Sequence, residues 1–276
     1  MKKILAITNQ KGGVGKTTTS VNLAAGLAKQ GRTVCLIDLD PQGHASLHLG
    51  VDAFGQTPTV YDVFSGKKTL AEVKQLAVDN LWVIPSDLDL AATEIELVDA
   101  PGRELILRGA IERLVQSQPI DYIIMDCPPS LGLLTINAFA ASKELLIPIQ
   151  TEYYALEGLS QLLETYSVVK KRLNPNLNLS TIVLTMFDSR TRLSNDVAAN
   201  VRSHFPNELI DIPIPRAVRV SEAPSYNQTV MTYDPLSPGA IAYMQVAREI
   251  TERGKAKDEV IFDGNVVSIN YKGGIA

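Results

Sequence analysis

Residues 9–20, NQKGGVGKTTTS, constrain the fold of this chain more than any other stretch. Gly12, Gly13 and Gly15 are followed at once by Lys16, Thr17 and Thr18. Upstream lies a short apolar run, Ile4-Leu5-Ala6-Ile7; downstream, Val21, Leu23, Ala24, Leu27 and Ala28 recur at helical spacing. Strand, glycine-rich turn and helix in that order are the setting of a phosphate-binding loop. The glycines let successive backbone N–H groups, from Lys11 through Val14 to Thr18, converge on one anion, and the helix start adds its partial positive charge. Lys16 then reaches the β- and γ-phosphates while the Thr17 hydroxyl binds Mg²⁺. One position departs from the usual pattern: where its first glycine belongs stands Gln10, followed by a second lysine, Lys11.

Two further motifs complete a nucleotide-hydrolysing centre. DYIIMDCPPS is an apolar strand ending in Asp126, whose carboxylate can hold the Mg²⁺ shell through water. Its plainer reading is a turn or helix cap. CLIDLDPQG places Asp38 and Asp40 at the end of another strand, and period two points both the same way if the strand persists. Asp40, next to the Pro41 turn, is the better placed to orient the attacking water.

The rest of the chain alternates strand and helix. Apolar runs at 34–37, 81–84, 122–125, 145–149, 181–184 and 210–214 read as strands; helical periodicity covers roughly 16–29, 104–117, 156–173, 192–204 and 239–252. Such alternation predicts a single α/β domain, a mainly parallel twisted sheet with helices on both faces and its ligand at the carboxyl ends of the strands. With 276 residues, 45% of them apolar, the chain can bury the core this needs. The stretch 254–276 reads differently, as a linker (GKAKDEV) and a small hairpin around Asp263-Gly264, so the domain is expected over 1–253 and a C-terminal extension of unreadable role over 254–276. The first strand begins at once and no apolar run approaches membrane-spanning length, which predicts a cytoplasmic chain. Cys35 and Cys127, in and beside strands, are expected to be reduced packing thiols, and His44 and His48 solvated loop residues rather than metal ligands.

These motifs together resemble the ParA/MinD group of ATPases with a deviant phosphate loop. KGGVGKTT at 11–18 carries the deviation; DLDPQG, DCPPSLGLLTINA, TEYYALEGLSQL, IPR and VRVSEAPS resemble its ParA/Soj branch, over a span from Lys3 to about Arg253. The resemblance implies a role for Lys11: reaching in trans to the phosphates of ATP bound by a partner subunit, so that two chains close around two nucleotides as a homodimer. It also implies slow ATP hydrolysis stimulated by a ParB-type protein, and non-specific binding to double-stranded DNA through arginines at the positions of Arg190 and Arg219. It puts Pro215 and the residue two further on against the adenine or ribose; here that residue is Ala217, where relatives commonly carry asparagine. His44 likewise replaces an asparagine usual after DPQG.

Charge supports the DNA reading only in part. The chain carries a net −4, but residues 168–219 hold eight basic residues (Lys170, Lys171, Arg172, Arg190, Arg192, Arg202, Arg216, Arg219) against four acidic ones, leaving the remainder at −8. Such a cluster can grip phosphates without reading sequence, although taken alone it is more often a solvated face than a DNA surface. The expected function is therefore a nucleoid-associated DNA-segregation ATPase. A ParA-like protein that positions another cargo would share every motif. A MinD-like membrane protein needs a basic amphipathic C-terminal helix that VIFDGNVVSINYKGGIA lacks, and an iron–sulfur enzyme on this scaffold needs better cysteines than Cys35 and Cys127.

Overall fold

The computed structural model describes residues 3–51, 57–153, 155 and 159–262, the last eight of these as backbone. Among the described residues seven strands form one sheet: β1 (Lys3–Ile7), β2 (Val34–Asp38), β3 (Gln75–Val78), β4 (Leu81–Ile84), β5 (Tyr122–Asp126), β6 (Glu144–Gln150) and β7 (Asn178–Thr185). Their order across the sheet is β3-β4-β2-β5-β1-β6-β7, and every pairing is parallel except that of β3 with β4. β2 and β5 are buried along their whole length, which is why they read as continuous apolar runs instead of alternating ones.

The helices are α1 (Lys16–Lys29), α2 (His44–His48), α3 (Val60–Phe64), α4 (Leu70–Val73), α5 (Thr93–Glu96), α6 (Ile106–Ser117), α7 (Leu133–Ala141), α8 (Leu159–Arg172), α9 (Arg192–His204), α10 (Val218–Glu222), α11 (Val230–Tyr233) and α12 (Pro238–Phe262). They cover both faces of the sheet and divide the core in two. One half gathers Leu107, Ile111, Phe139, Leu162 and Val201 over one face; the other gathers Leu23, Leu27, Tyr243, Val246 and Ile250 over the opposite face. α1 lies directly against α12. Gly26 permits that approach, since a Cβ there would stand 2.9 Å from the Ala247 Cβ.

The expected strand at 210–214 is the clearest structural correction. The segment follows β7, with Ile210 N–H donating to the Ile182 carbonyl at 2.9 Å and Ile214 N–H to Leu184 at 2.8 Å. Pro213 and Pro215 have no N–H to give, so the ladder breaks into isolated bridges. α12 runs through Phe262, and helix replaces both the linker read at 254–260 and the first arm, 260–262, of the hairpin read after it; the rest of that hairpin lies outside the described residues. The sequence reading also passed over α7, which is buried over most of its surface, its polar Thr135 and Asn137 included, and shows no amphipathic stripe. It missed α3 and α4 too, although Thr59 with Asp62 and Thr69 with Glu72 form capping boxes written plainly in the sequence.

Candidate functional site

The loop between β1 and α1 is held from both sides by the protein's own side chains. Asn9 is buried; its Nδ2 donates to the Pro148 carbonyl at 2.8 Å, and its Oδ1 accepts the Lys11 N–H at 3.0 Å. From the far side, the Thr185 hydroxyl donates to the Val14 carbonyl at 2.8 Å. Gly13 and Gly15 take φ of +74° and +85°, a left-handed curl that a side chain would strain. Gly15 occupies the N-cap of α1 with no side-chain cap, so the first N–H groups of the helix stay open to an anion.

The two lysines of the loop have opposite fates. Lys16 is buried, and its ammonium folds over the loop to donate to the Lys11 carbonyl at 3.3 Å. Burial lowers its pKa; the charges of Asp126 and Asp40 oppose that fall. Lys11, with 34% of its side chain exposed, leaves the concavity and pairs with Glu152 Oε2 at 3.1 Å. Gln150, at the end of β6, holds the other oxygen of Glu152.

Across the sheet, Asp38 and Asp126 are register partners at the carboxyl ends of β2 and β5, both fully buried. Burial pushes each carboxyl above the usual carboxylate range, and for Asp126 the neighbouring Asp38 charge adds to the rise. Their partners differ. Asp38 Oδ1 accepts the Asp40 N–H at 3.2 Å, while Oδ2 accepts the Ser46 N–H at 2.9 Å and the Ser46 hydroxyl at 2.7 Å. Asp126 Oδ1 takes the Ser20 hydroxyl at 2.7 Å; among the described residues no donor sits within hydrogen-bond distance of its buried Oδ2, although the Thr17 side chain lies close enough to hold the carboxyl's pKa down against burial. A buried, orphaned carboxylate oxygen near the Thr17 hydroxyl is what a hydrated Mg²⁺ would satisfy, and the residues present fit that ion.

The condition under which Asp38 and Asp40 would point the same way is not met, because β2 ends at Asp38 and the chain turns. Asp38 becomes a buried brace; Asp40 rides half-buried on the turn, its Oδ1 accepting the Gln42 N–H at 3.0 Å. His48 is also corrected. It lies buried on α2 with Nε2 3.0 Å from the Gln228 carbonyl, and burial drives its pKa down to about 4. His44 is exposed as expected, Cys35 and Cys127 are buried free thiols, and the described residues hold no cluster of three or more metal-ligating side chains.

Beside the loop opens a cavity of about 330 Å³ lined by Gly15, Thr18, Met186, Pro215, Ala217 and Tyr243, among others. Pro215 and Ala217 line this cavity beside the loop. Met186, at φ +51°, turns the chain out of β7 into the cavity wall. The basic stretch 168–219, in contrast, is not one patch. Lys170–Arg172 end α8 before β7 begins, whereas Arg190, Arg216 and Arg219 follow the end of β7 or of the segment alongside it. The eight residues of β7 separate the two groups by roughly 26 Å. Arg190, with 87% of its side chain exposed, is held by Asp188 through two bonds of 2.9 and 2.7 Å; Arg219 pairs with Glu222 at 2.9 Å and Asp234 at 3.4 Å.

Several contributors to this site escaped the sequence reading: Asn9, Ser20, Ser46, Glu152 and Thr185. Asn9 opens the 9–20 stretch and Ser20 ends it, so their nearness was visible; Glu152 and Thr185 reach the loop from 141 and 171 residues away.

Residues 2–179 match the model of a family described as an AAA domain. The chain is 50% identical over 255 residues to the sporulation initiation inhibitor protein Soj of Bacillus subtilis, covering 92% of this chain and 100% of that one. It is 46% identical over 252 residues to the chromosome partitioning protein ParA of Caulobacter vibrioides, covering 91% and 94%. Among solved structures, cobyrinic acid a,c-diamide synthase from Mycobacterium smegmatis with bound ADP and magnesium superposes with a TM-score of 0.82 at 36% identity, covering 93% of this chain and 97% of that one. The septum site-determining protein MinD of Pyrococcus horikoshii, complexed with Mg-ADP, superposes with a TM-score of 0.71 at 26% identity, covering 93% and 99%. With half of its residues shared along the full length of Soj, and with the loop, the paired aspartates and the parallel sheet in place, the chain belongs to the ParA/Soj family of chromosome-partitioning ATPases within the ParA/MinD superfamily.

Proposed function

We propose that this chain hydrolyses ATP to ADP and phosphate as a dimerising switch that binds DNA without sequence preference and is reset by a ParB-type partner. The observation that carries the reading is the divergence of the two loop lysines. Lys16 is committed to its own loop, while Lys11 stands outside it on a replaceable surface partner, Glu152. An exposed ion pair of this kind is worth roughly 0–1 kcal/mol and is readily exchanged for a triphosphate on a facing subunit.

In this reading the loop backbone from Lys11 to Thr18 and the Lys16 ammonium bind the phosphates, and Pro215 and Ala217 line the base. Mg²⁺, held by Thr17 and through water by Asp126, would neutralise charge on the phosphates. Asp40 orients the attacking water. Ala217 offers the base a methyl group and its backbone, in place of the amide side chain common in relatives. Lys11 acts in trans much as an arginine finger does, so loss of the terminal phosphate removes the attraction between subunits. Dimerisation would double the surface that carries Arg190 and Arg219 and make DNA binding depend on ATP. The domain is assigned to 1–253 with 254–276 as an extension, and the setting to the nucleoid in the cytoplasm.

No helix of the described residues is long and apolar enough to cross a membrane. The partition reading is preferred over a diamide synthase because identity to Soj, 50%, exceeds the 36% shared with that enzyme. A ParA-like role in positioning another cargo uses the same switch.

The test is Lys11→Ala. It should keep nucleotide affinity near that of the parent chain, measured with a fluorescent ATP analogue, and abolish the dimer seen by light scattering with a non-hydrolysable analogue. A Lys11→Ala dimer of undiminished stability would end the trans assignment.

A further inference from the structure

Ser20 lies one turn beyond Lys16 on α1 and is fully buried. Its hydroxyl stands 2.7 Å from Asp126 Oδ1 and 3.0 Å from the Lys16 carbonyl, so one proton is shared between the carboxylate and the backbone of the phosphate loop's lysine. Among the described residues no donor sits within hydrogen-bond distance of the buried Asp126 Oδ2, and the nearby Thr17 side chain, itself assigned to the metal, is the other group that acts on this carboxyl. A carboxylate on a short side chain has few ways to turn, and a fixed donor on one oxygen decides where the other one points.

The register partner of Asp126 does not share this asymmetry. Asp38, its register partner one strand away, has a serine too, but Ser46 and the Asp40 N–H between them engage both of its oxygens. One buried carboxylate is closed and the other is kept half open by its serine. We infer that Ser20 is a positioning residue: it locks the Asp126 carboxylate so that Oδ2 is presented to the hydrated metal, and it ties that presentation to the first turn of α1. Metal geometry and the phosphate loop then move as one unit. The inference rests on the proposed place of Asp126 in the Mg²⁺ shell.

The experiment measures affinity for a fluorescent ATP analogue as Mg²⁺ is titrated, and again in EDTA. For Ser20→Ala, the half-saturating Mg²⁺ concentration should rise roughly tenfold, the scale expected when a group orienting a metal ligand is removed. Affinity in EDTA should stay at the parent value, and the turnover rate should recover at saturating Mg²⁺. Asp126→Asn should raise the Mg²⁺ requirement by itself, and adding Ser20→Ala to it should change nothing further, since the two act through one carboxylate. An unchanged Mg²⁺ requirement in Ser20→Ala, an equal loss of affinity with and without Mg²⁺, or additive effects in the double variant would each overturn the inference. If Asp126→Asn itself left the Mg²⁺ requirement untouched, the metal assignment would fall first, and this inference with it.

Discussion

The nucleotide rim and the arginine surface stand close in the fold but are built on opposite terms. At the rim, Lys16, Asp38 and Asp126 are buried, and their contacts reach across α1, α2 and the β2–β5 pair. On the surface, Arg190 and Arg219 are exposed and engage carboxylates only two or three residues away, as well as Asp234. Removing a buried charged partner leaves another group desolvated and unpaired, which costs several kcal/mol. A surface arginine that trades an aspartate for a DNA phosphate exchanges one solvated pair for another, with a net effect of about 1 kcal/mol. The rim should therefore act as an all-or-none device and the surface as a graded one.

The sharpest way to break this contrast is Lys16→Ala. Loss of the buried ammonium is expected to lower nucleotide affinity by at least a thousandfold, or about 4 kcal/mol, read by calorimetry. Asp40→Ala comes next. It should leave binding and dimerisation intact while cutting turnover roughly a hundredfold, about 2.7 kcal/mol of barrier, so that a DNA-bound dimer accumulates. If this variant stayed monomeric with ATP, the water-positioning role of Asp40 would be wrong.

His48 tests the buried side through pH. Its folded pKa, about 4, lies below the unfolded value near 6.5, so between those values the unfolded chain binds the proton and the folded one does not. Stability is present above pH 6.5 and drains away as pH falls toward 4, by about 2 kcal/mol at pH 5 from this group alone. Replacing His48 with Gln should flatten that part of the denaturation profile; an equally steep fall would remove His48 as its source. Arg190→Ala and Arg219→Ala should give the smallest effects, about five- to tenfold weaker DNA binding each, with the salt slope reduced by about one phosphate contact and ATP-driven dimerisation untouched. Unchanged DNA affinity in both would refute the surface assignment.

The fold was legible to the extent that periodicity and punctuation report it. β1, β2, β4, β5, β6 and β7 follow apolar runs, and α1, α6, α8, α9 and α12 follow helical spacing, because burial of one face leaves that pattern behind. α7 escaped because a helix buried over most of its surface has no stripe to show, and 210–214 misled because apolar side chains cannot reveal that Pro213 and Pro215 lack ladder donors. Lys16, Thr17 and Asp126 could be read because each belongs to a contiguous motif. The basic count over 168–219 could not reveal that β7 carries its two halves to opposite ends of the sheet.

The sequence by itself determined the curl of the loop, the order of strand and helix, and which side chains carry charge, since these depend on neighbours a few bonds away. Only the tertiary structure decided that Asp38 is closed and Asp126 half open, that Lys11 rests on Glu152 while Lys16 turns inward, and that His48 is buried. Those outcomes depend on which distant donors arrive at a buried oxygen and on how much water is excluded there, quantities that exist only once the chain has packed.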